Sequence, residues 1–222
     1  MKRSEINRLI QGSLAFFETM KFHLPAWGHW LPSDWRGKAD VASEVIENML
    51  GWDLTDFGSG DFERRGLILF TIRNGNPRSN DKAYAEKIMI VREGQETPMH
   101  FHWHKMEDII NRGGGNLAVE LYGSTDDESL SDQPIKVKID GVRRTVEPGG
   151  VATLGPGESI CLERGMYHRF YGEKAKVLVG EVSSVNDDMT DNRFLEPVGR
   201  FPEIEEDEAP MHLLCTEYRE WL

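Results

Sequence analysis

Cysteine is scarce in this sequence. Only Cys161 and Cys215 occur among 222 residues, and neither belongs to a CxxC pair. Two such thiols make a poor disulfide framework, so a reducing compartment is expected. Long apolar runs are also missing: none approaches the ~20 residues that a membrane helix needs. The opening Met1-Lys2-Arg3-Ser4-Glu5 lacks the apolar stretch of a signal peptide. A soluble, cytoplasmic protein is the expectation. Clustered positive charge is absent as well. The net charge is −12, and no basic stripe is present to neutralise phosphates, which argues against nucleic acid as a partner. Much of the acidic excess lies in Glu203, Glu205, Glu206, Asp207 and Glu208, a run that reads first as a solvated loop. No internal repeat or low-complexity tract occurs.

What is present fits one sizeable core, although two small domains would also fit the length. Ile6, Leu9, Ile10, Leu14 and Phe17 recur at three-to-four spacing behind Ser4, predicting an amphipathic helix over 4–20 with Ser4 as its cap. Residues 23–35 are irregular, broken by two prolines and carrying Trp27, Trp30 and Trp35. They read either as aromatics packed on a core or as a lid over a pocket. A second helix is expected over 40–50, ended by Gly51. From Gly66 the pattern changes to short β segments at 67–72, 87–91, 116–122, 135–139, 143–146, 151–154, 159–162, 167–171 and 177–185. Asp140-Gly141 signals a type I′ hairpin, because both central residues of that turn need positive φ. A series of short strands with glycine- or proline-bearing turns predicts a mainly β sandwich or barrel. The expected layout is a helical region over 1–60, a barrel over 61–190 and a segment over 191–222 covering the barrel mouth.

The informative stretch runs from Gly94 to Gly114 and contains His100, His102, His104, Lys105 and Glu107. In an extended segment alternate side chains share a face, so His100 and His102 project together with the spacing to hold one metal ion. Glu107 joins them only if the chain reverses between His104 and Glu107, giving strand, turn, strand. Farther on, Gly157, Gly165 and His168 lay out a strand, a glycine turn and a histidine opening the next strand.

The first stretch resembles the cupin signature G-x5-H-x-H-x4-E-x6-G at Gly94, His100, His102, Glu107 and Gly114. The second resembles the cupin partner motif G-x5-P-x-G-x2-H-x3-N at Gly157, Gly165 and His168, with Glu163 in place of the proline and Gly172 in place of the asparagine. The resemblance implies a double-stranded β-helix, the jelly-roll barrel of cupins, in which His100, His102, Glu107 and His168 bind one divalent metal. Residues 100–115, 180–188 and 191–207 are further similar to the D-lyxose isomerase family, and with the helical N-terminal region the similarity spans nearly the whole chain. It implies a cytoplasmic, usually dimeric sugar isomerase that usually depends on manganese. Three imidazoles and a carboxylate suit manganese or iron, with cobalt and zinc as further candidates. Adjacent open positions on such an ion suit a vicinal hydroxyl–carbonyl pair, whose carbonyl a Lewis acid polarises while a base and an acid move a proton between C1 and C2.

For the proton carriers the sequence offers Lys105, in the turn beside the ligands, which reads alternatively as an exposed turn lysine. It also offers Glu181, which alternation places on the apolar face of Val177, Val179, Ser183 and Val185, where its rival role is a buried pair with an arginine. Glu203, anchored behind Phe201-Pro202, is a third candidate and a second carboxylate, with Glu205 and Glu206 next to it. Asp187 and Arg193 are candidate binders of sugar hydroxyls. His104 continues the alternation, but the reversal toward Glu107 carries it away from the ion. Other expected readings are D-mannose/D-fructose as an additional substrate pair, an iron oxygenase on the same ligand set, and a non-catalytic sugar-binding module.

Overall fold

The computed structural model describes residues 1–76 and 82–222. Helix α1 (Arg3–Thr19) buries Ile6, Leu9, Ile10 and Phe17, the apolar stripe that its spacing dictates. Its N-cap is Lys2, whose side chain makes no capping bond. Ser4 is not the cap. Its N–H and hydroxyl donate to Asp207 at 2.9 and 2.7 Å, so a carboxylate from the far end of the sequence meets the positive end of the helix dipole.

The second helix, α2 (Ser43–Glu47), is shorter than the 40–50 expected. Asn48 turns aside to donate to the Asn74 carbonyl and Met49 adopts φ 53°, which ends the helix. Strand β1 (Gly51–Thr55) follows at once, so the sheet begins inside the stretch read as the helical region.

Among the described residues the remaining strands are β2 (Leu67–Arg73), β3 (Tyr84–Val91), β4 (His100–Phe101), β5 (Glu107–Tyr122), β6 (Ile135–Ile139), β7 (Val142–Val146), β8 (Gly150–Leu154), β9 (Ser159–Leu162), β10 (Tyr167–Ser184) and β11 (Arg193–Phe194). Asp140 and Gly141 join β6 to β7 with φ of 49° and 78°, as the hairpin reading requires.

The frame is the antiparallel pair β5–β10, which runs from Glu107↔Ser183 to Tyr122↔Tyr167. The pattern separates 116–122 and 167–171 from their neighbours because Gly113-Gly114-Gly115 and 172–176 look like breaks. Both are bends within continuous strands. The register slips between Glu173 and Val177, and Gly113 and Gly114 take φ of 138° and 99° opposite that bulge. A Cβ on Gly114 would lie 2.1 Å from the Lys176 carbonyl oxygen, so the corner needs glycine there.

Beyond the corner each long strand changes partners. One layer is β1-β2-β3-β10-β5-β9-β6-β7, and the other sets β11, β4 and β8 against the opposite halves of β10 and β5. Side chains from both layers share one interior, including Leu69, Met89, Leu117, Leu121, Leu154, Ile160 and Val179. This is the jelly-roll barrel of the cupin type that the motifs imply.

Strands β2 and β3 are buried on both faces. Leu67, Leu69 and Met89 point inward, while Ile68, Phe70, Ile88 and Ile90 pack under α1. Each large apolar side chain so buried contributes about 1.5–3 kcal/mol. The tryptophan segment forms short helical turns over Ala26–His29 and Pro32–Trp35 on the outside of this layer. Trp27 stacks on Phe70 at 4.9 Å and Trp35 meets Tyr218 at 4.2 Å. The segment packs aromatics and is not a lid.

The acidic run does not cover the barrel mouth. The buried Arg3 guanidinium holds Glu206 at 2.6 Å and also pairs with Glu217, and the amino terminus donates to the Glu203 carbonyl at 2.7 Å. Residues 203–208 therefore clasp the start of α1. The segment just before them, around 191–200, is the part that reaches the barrel mouth. Among the described residues no helix is long and apolar enough to cross a membrane.

Candidate metal centre

Strand pairing brings the two motifs together. β4 meets β10 at one register pair, His100 opposite His168, and their rings lie 4.2 Å apart. His102 follows directly after β4, the chain turns, and Glu107 opens β5. His100, His102 and His168 each present a ring nitrogen, all within 4.8 Å of one another.

Each ring is oriented from behind by a backbone carbonyl. The Nδ1 atoms of His100, His102 and His168 sit 2.9, 2.7 and 3.0 Å from the oxygens of Pro98, Asp191 and Met166. A carbonyl only accepts, so Nδ1 carries the proton and Nε2 turns a lone pair inward. Burial first, and neighbouring imidazoles second, push His100 well below the usual imidazole range; burial and then Lys105 lower His102.

Glu107 Oε1 stands 3.4 Å from His102 Nε2 and 3.2 Å from His168 Nε2. These lengths suit hydrogen bonds, but the tautomer set by the carbonyls leaves no proton between the atoms. Both Nε2 atoms are accordingly buried without a hydrogen-bond partner. Burial works against the Glu107 charge, yet the Lys105 ammonium outweighs it and holds the carboxyl well below its ordinary range. Converging lone pairs around an ionised carboxylate are what a divalent cation satisfies, so the residues present fit one.

The centre opens into a cavity lined also by Lys87, Met89, Phe170, Glu181 and Arg200. Lys105 is buried in its wall. Its Nζ donates to Glu107 Oε2 at 2.8 Å, Glu181 Oε1 at 3.1 Å and Asn186 Oδ1 at 3.2 Å. Burial opposes its charge, but Glu107 and Glu181 prevail and raise it above the usual lysine range. Glu181 also receives the Ser183 hydroxyl at 3.1 Å, and its partner is a lysine, not an arginine.

Sequence reasoning missed much of this wall. Lys87 lies directly across from Glu181 in the β3–β10 register, with its Nζ 2.7 Å from Asn186 Oδ1. The alternation that points to Glu181 applies equally to Lys87, which shares a face with Met89 and Val91. Asp188 joins Lys87 at 3.5 Å and Arg200 at 3.2 Å, and Arg200 also pairs with the buried Asp53. No local signal marks Asp188 or Arg200, because their chemistry depends on where a long loop lies.

The structure leaves other sequence candidates outside. Asp187 caps its own turn, accepting from the Met189 and Thr190 N–H groups at 3.0 and 3.1 Å. Arg193 points its Nε at Glu128, 2.8 Å away. Glu203 is exposed beside α1, and His104 is exposed as well. None of these four side chains lines the cavity.

The family model described as D-lyxose isomerase matches residues 1–218. A D-lyxose/D-mannose isomerase of Serratia proteamaculans is 52% identical over 223 residues, covering 98% of both chains. One from Escherichia coli O157:H7 is 50% identical over 227 residues, covering both chains in full. Among solved structures, L-ribose isomerase of Cellulomonas parahominis with L-ribose shares the fold at a TM-score of 0.61 and 16% identity, over 92% of this chain and 98% of that one. With a family model matched almost end to end and half the residues shared with two full-length relatives, the chain belongs to the D-lyxose isomerase family.

Proposed function

We propose that this protein is a metal-dependent aldose–ketose isomerase interconverting D-lyxose with D-xylulose, and D-mannose with D-fructose, through an enediol. The observation that carries the reading is one cavity in which four metal-ligand candidates adjoin the paired Lys105 and Glu181. The names of the two half-identical relatives point to the same sugars.

His100, His102, Glu107 and His168 would hold one divalent cation, manganese first, with iron, cobalt or zinc as alternatives. Bound there, it supplies a Lewis acid for a sugar carbonyl. The chain's own residues do the rest. Glu181 takes the C2 proton of the aldose and returns it to C1, so a C–H bond breaks and another forms with no oxidant involved. Lys105, held protonated, gives a proton to O1 as negative charge develops there and takes one back from O2, so the hydroxyl proton moves from O2 to O1 and the ammonium is restored. One side of the wall is apolar, with Leu67, Leu69, Met89 and Phe170, and on the other Lys87, Lys105 and Arg200 face Glu107, Glu181 and Asp188. Three cations against three carboxylates leave the lining neutral, so a divalent cation would make it positive, favouring an anionic enediolate. A cytoplasmic homodimer belongs to the same proposal and rests on the family resemblance.

Manganese-loaded protein is expected to turn D-lyxose into D-xylulose without consuming oxygen. Oxygen uptake with no ketose formed would sink the isomerase reading in favour of an oxygenase, and tight sugar binding with neither would favour a binding module. His100→Ala and His168→Ala should each carry far less than one metal per chain while far-UV circular dichroism stays native. Full metal occupancy in both would remove those imidazoles from the ligand set.

A further inference from the structure

The geometry points to Asp191 as a positioning residue that shapes the turn between the metal-ligating strands and thereby sets Lys105 and Glu107 on the cavity side. This inference rests on the metal centre proposed above.

Alternation alone would not build the site. If residues 102–107 continued β4 as a strand, His102, His104 and Met106 would share one face and Trp103, Lys105 and Glu107 the other. In the structure His102, Lys105 and Glu107 are all buried at the cavity, while Trp103, His104 and Met106 are exposed. The turn is what changes the alternation.

Asp191 is only 5% exposed and bonds to this turn at three points. Its carbonyl takes the His102 Nδ1–H at 2.7 Å. One carboxylate oxygen takes the His104 N–H and the other the Lys105 N–H, each at 2.8 Å. Two successive backbone donors aimed at one carboxylate form a charge-assisted clamp, and those donors sit at a point where no strand pairing would satisfy them. Other groups hold the turn by its carbonyls: Gly165 N–H reaches His102 O at 2.9 Å, and Arg164 reaches His104 O. Ser184 exchanges bonds with Met106 at 3.0 and 3.1 Å.

Asp191 is delivered by a turn of its own. Asp187 caps Met189 and Thr190, and the Asp191 N–H closes the loop on the Asp187 carbonyl at 3.1 Å. Asp187 therefore serves the site from a distance, through the residue that it places.

The test uses the full-length chain stripped of metal and titrated with manganese by calorimetry, with no sugar present. Asp191→Ala is expected to keep a native circular dichroism spectrum and a cooperative melt, yet bind manganese about 10–100-fold more weakly. Asp191→Asn keeps the shape and one acceptor, so its affinity should fall between the parent and Asp191→Ala. It is the variant to read if the alanine form does not fold. In turnover on D-lyxose, the losses in Asp191→Ala and Lys105→Met should be non-additive, the double variant falling little below Lys105→Met alone. Folded variants that bind manganese within about threefold of the parent, or fully additive losses, would overturn the positioning role. A parent that binds manganese but forms no ketose would sink the isomerase proposal and leave the affinity result standing. A parent that takes up no manganese would overturn both.

Discussion

Lys105→Met tests the electrostatics of the site most directly. Methionine keeps most of the aliphatic stem and removes the ammonium, which satisfies Glu107 at 2.8 Å, Glu181 at 3.1 Å and Asn186 at 3.2 Å. Lys105 is 4% exposed and Glu107 3% exposed, so bulk solvent screens the loss of the pair only weakly. Removing one member of a buried ion pair costs about 3–5 kcal/mol. At roughly 2–4 °C per kcal/mol for a chain of this size, the metal-free variant should melt about 6–20 °C below the parent. Metal bound at the histidine site would restore a positive charge beside Glu107, so the gap in Tm should narrow on adding manganese. Differential scanning calorimetry with and without metal measures both effects. Turnover on D-lyxose should fall by about 10²–10⁴, the usual contribution of a positioned acid. A metal-free Tm within about 2 °C of the parent, together with turnover within a few-fold, would refute the argument.

Three further outcomes follow from the structure. Glu181→Gln should lose turnover while keeping its metal, whereas the exposed Glu203→Gln should stay within about twofold of the parent; the reverse pattern in a coupled ketose assay would return the proton carrier to the acidic run. Arg3→Met should lower Tm at neutral pH by releasing residues 203–208 from α1. The Arg3 guanidinium holds the Glu206 carboxyl below its ordinary range, so this stabilisation is present above about pH 4.3 and is lost as pH falls through the lower folded value. The Tm gap between Arg3→Met and parent should therefore shrink on acidification, and a gap constant from pH 7 to about pH 3 would contradict the pairing. Gly114→Ala should destabilise by at least ~1–3 kcal/mol in urea unfolding, because it forces a side chain into positive φ and a Cβ to 2.1 Å from the Lys176 oxygen.

Part of the candidate metal centre was legible because its signal is local. His100 and His102 follow the two-residue period of a strand, which nearly specifies their directions, whereas His168 joined them only through the resemblance to the cupin partner motif. The Asp140-Gly141 hairpin and the α1 stripe were legible for the same reason. The glycine corner was not, since a glycine run reads as a break whether the strand stops there or bends. Only pairing with the β10 bulge distinguishes the two.

The acidic run shows a different limit. Composition marks it as solvated or as a catalytic cover, and nothing in residues 203–208 themselves points to Arg3, some two hundred positions away. Asp187 and Arg193 were drawn from the right segment, yet the residues that reach the cavity from that segment are Asp188, Asn192 and Phe194, with Arg200 beyond.

By itself, then, the sequence determined a series of short strands and a His100–His102 pair, because the periods of strands and the φ demands of turns act over a few residues, and the resemblance to cupins implied the barrel and the full histidine–carboxylate centre. Which charged groups line the rest of the cavity was decided only by the tertiary structure. Lys87 comes from β3, Lys105 from a turn clamped by Asp191, Glu181 from β10, and Asp188 and Arg200 from the segment over the mouth. A buried charge is tolerable only where an opposite charge meets it, and such pairs form between elements that the sequence sets far apart.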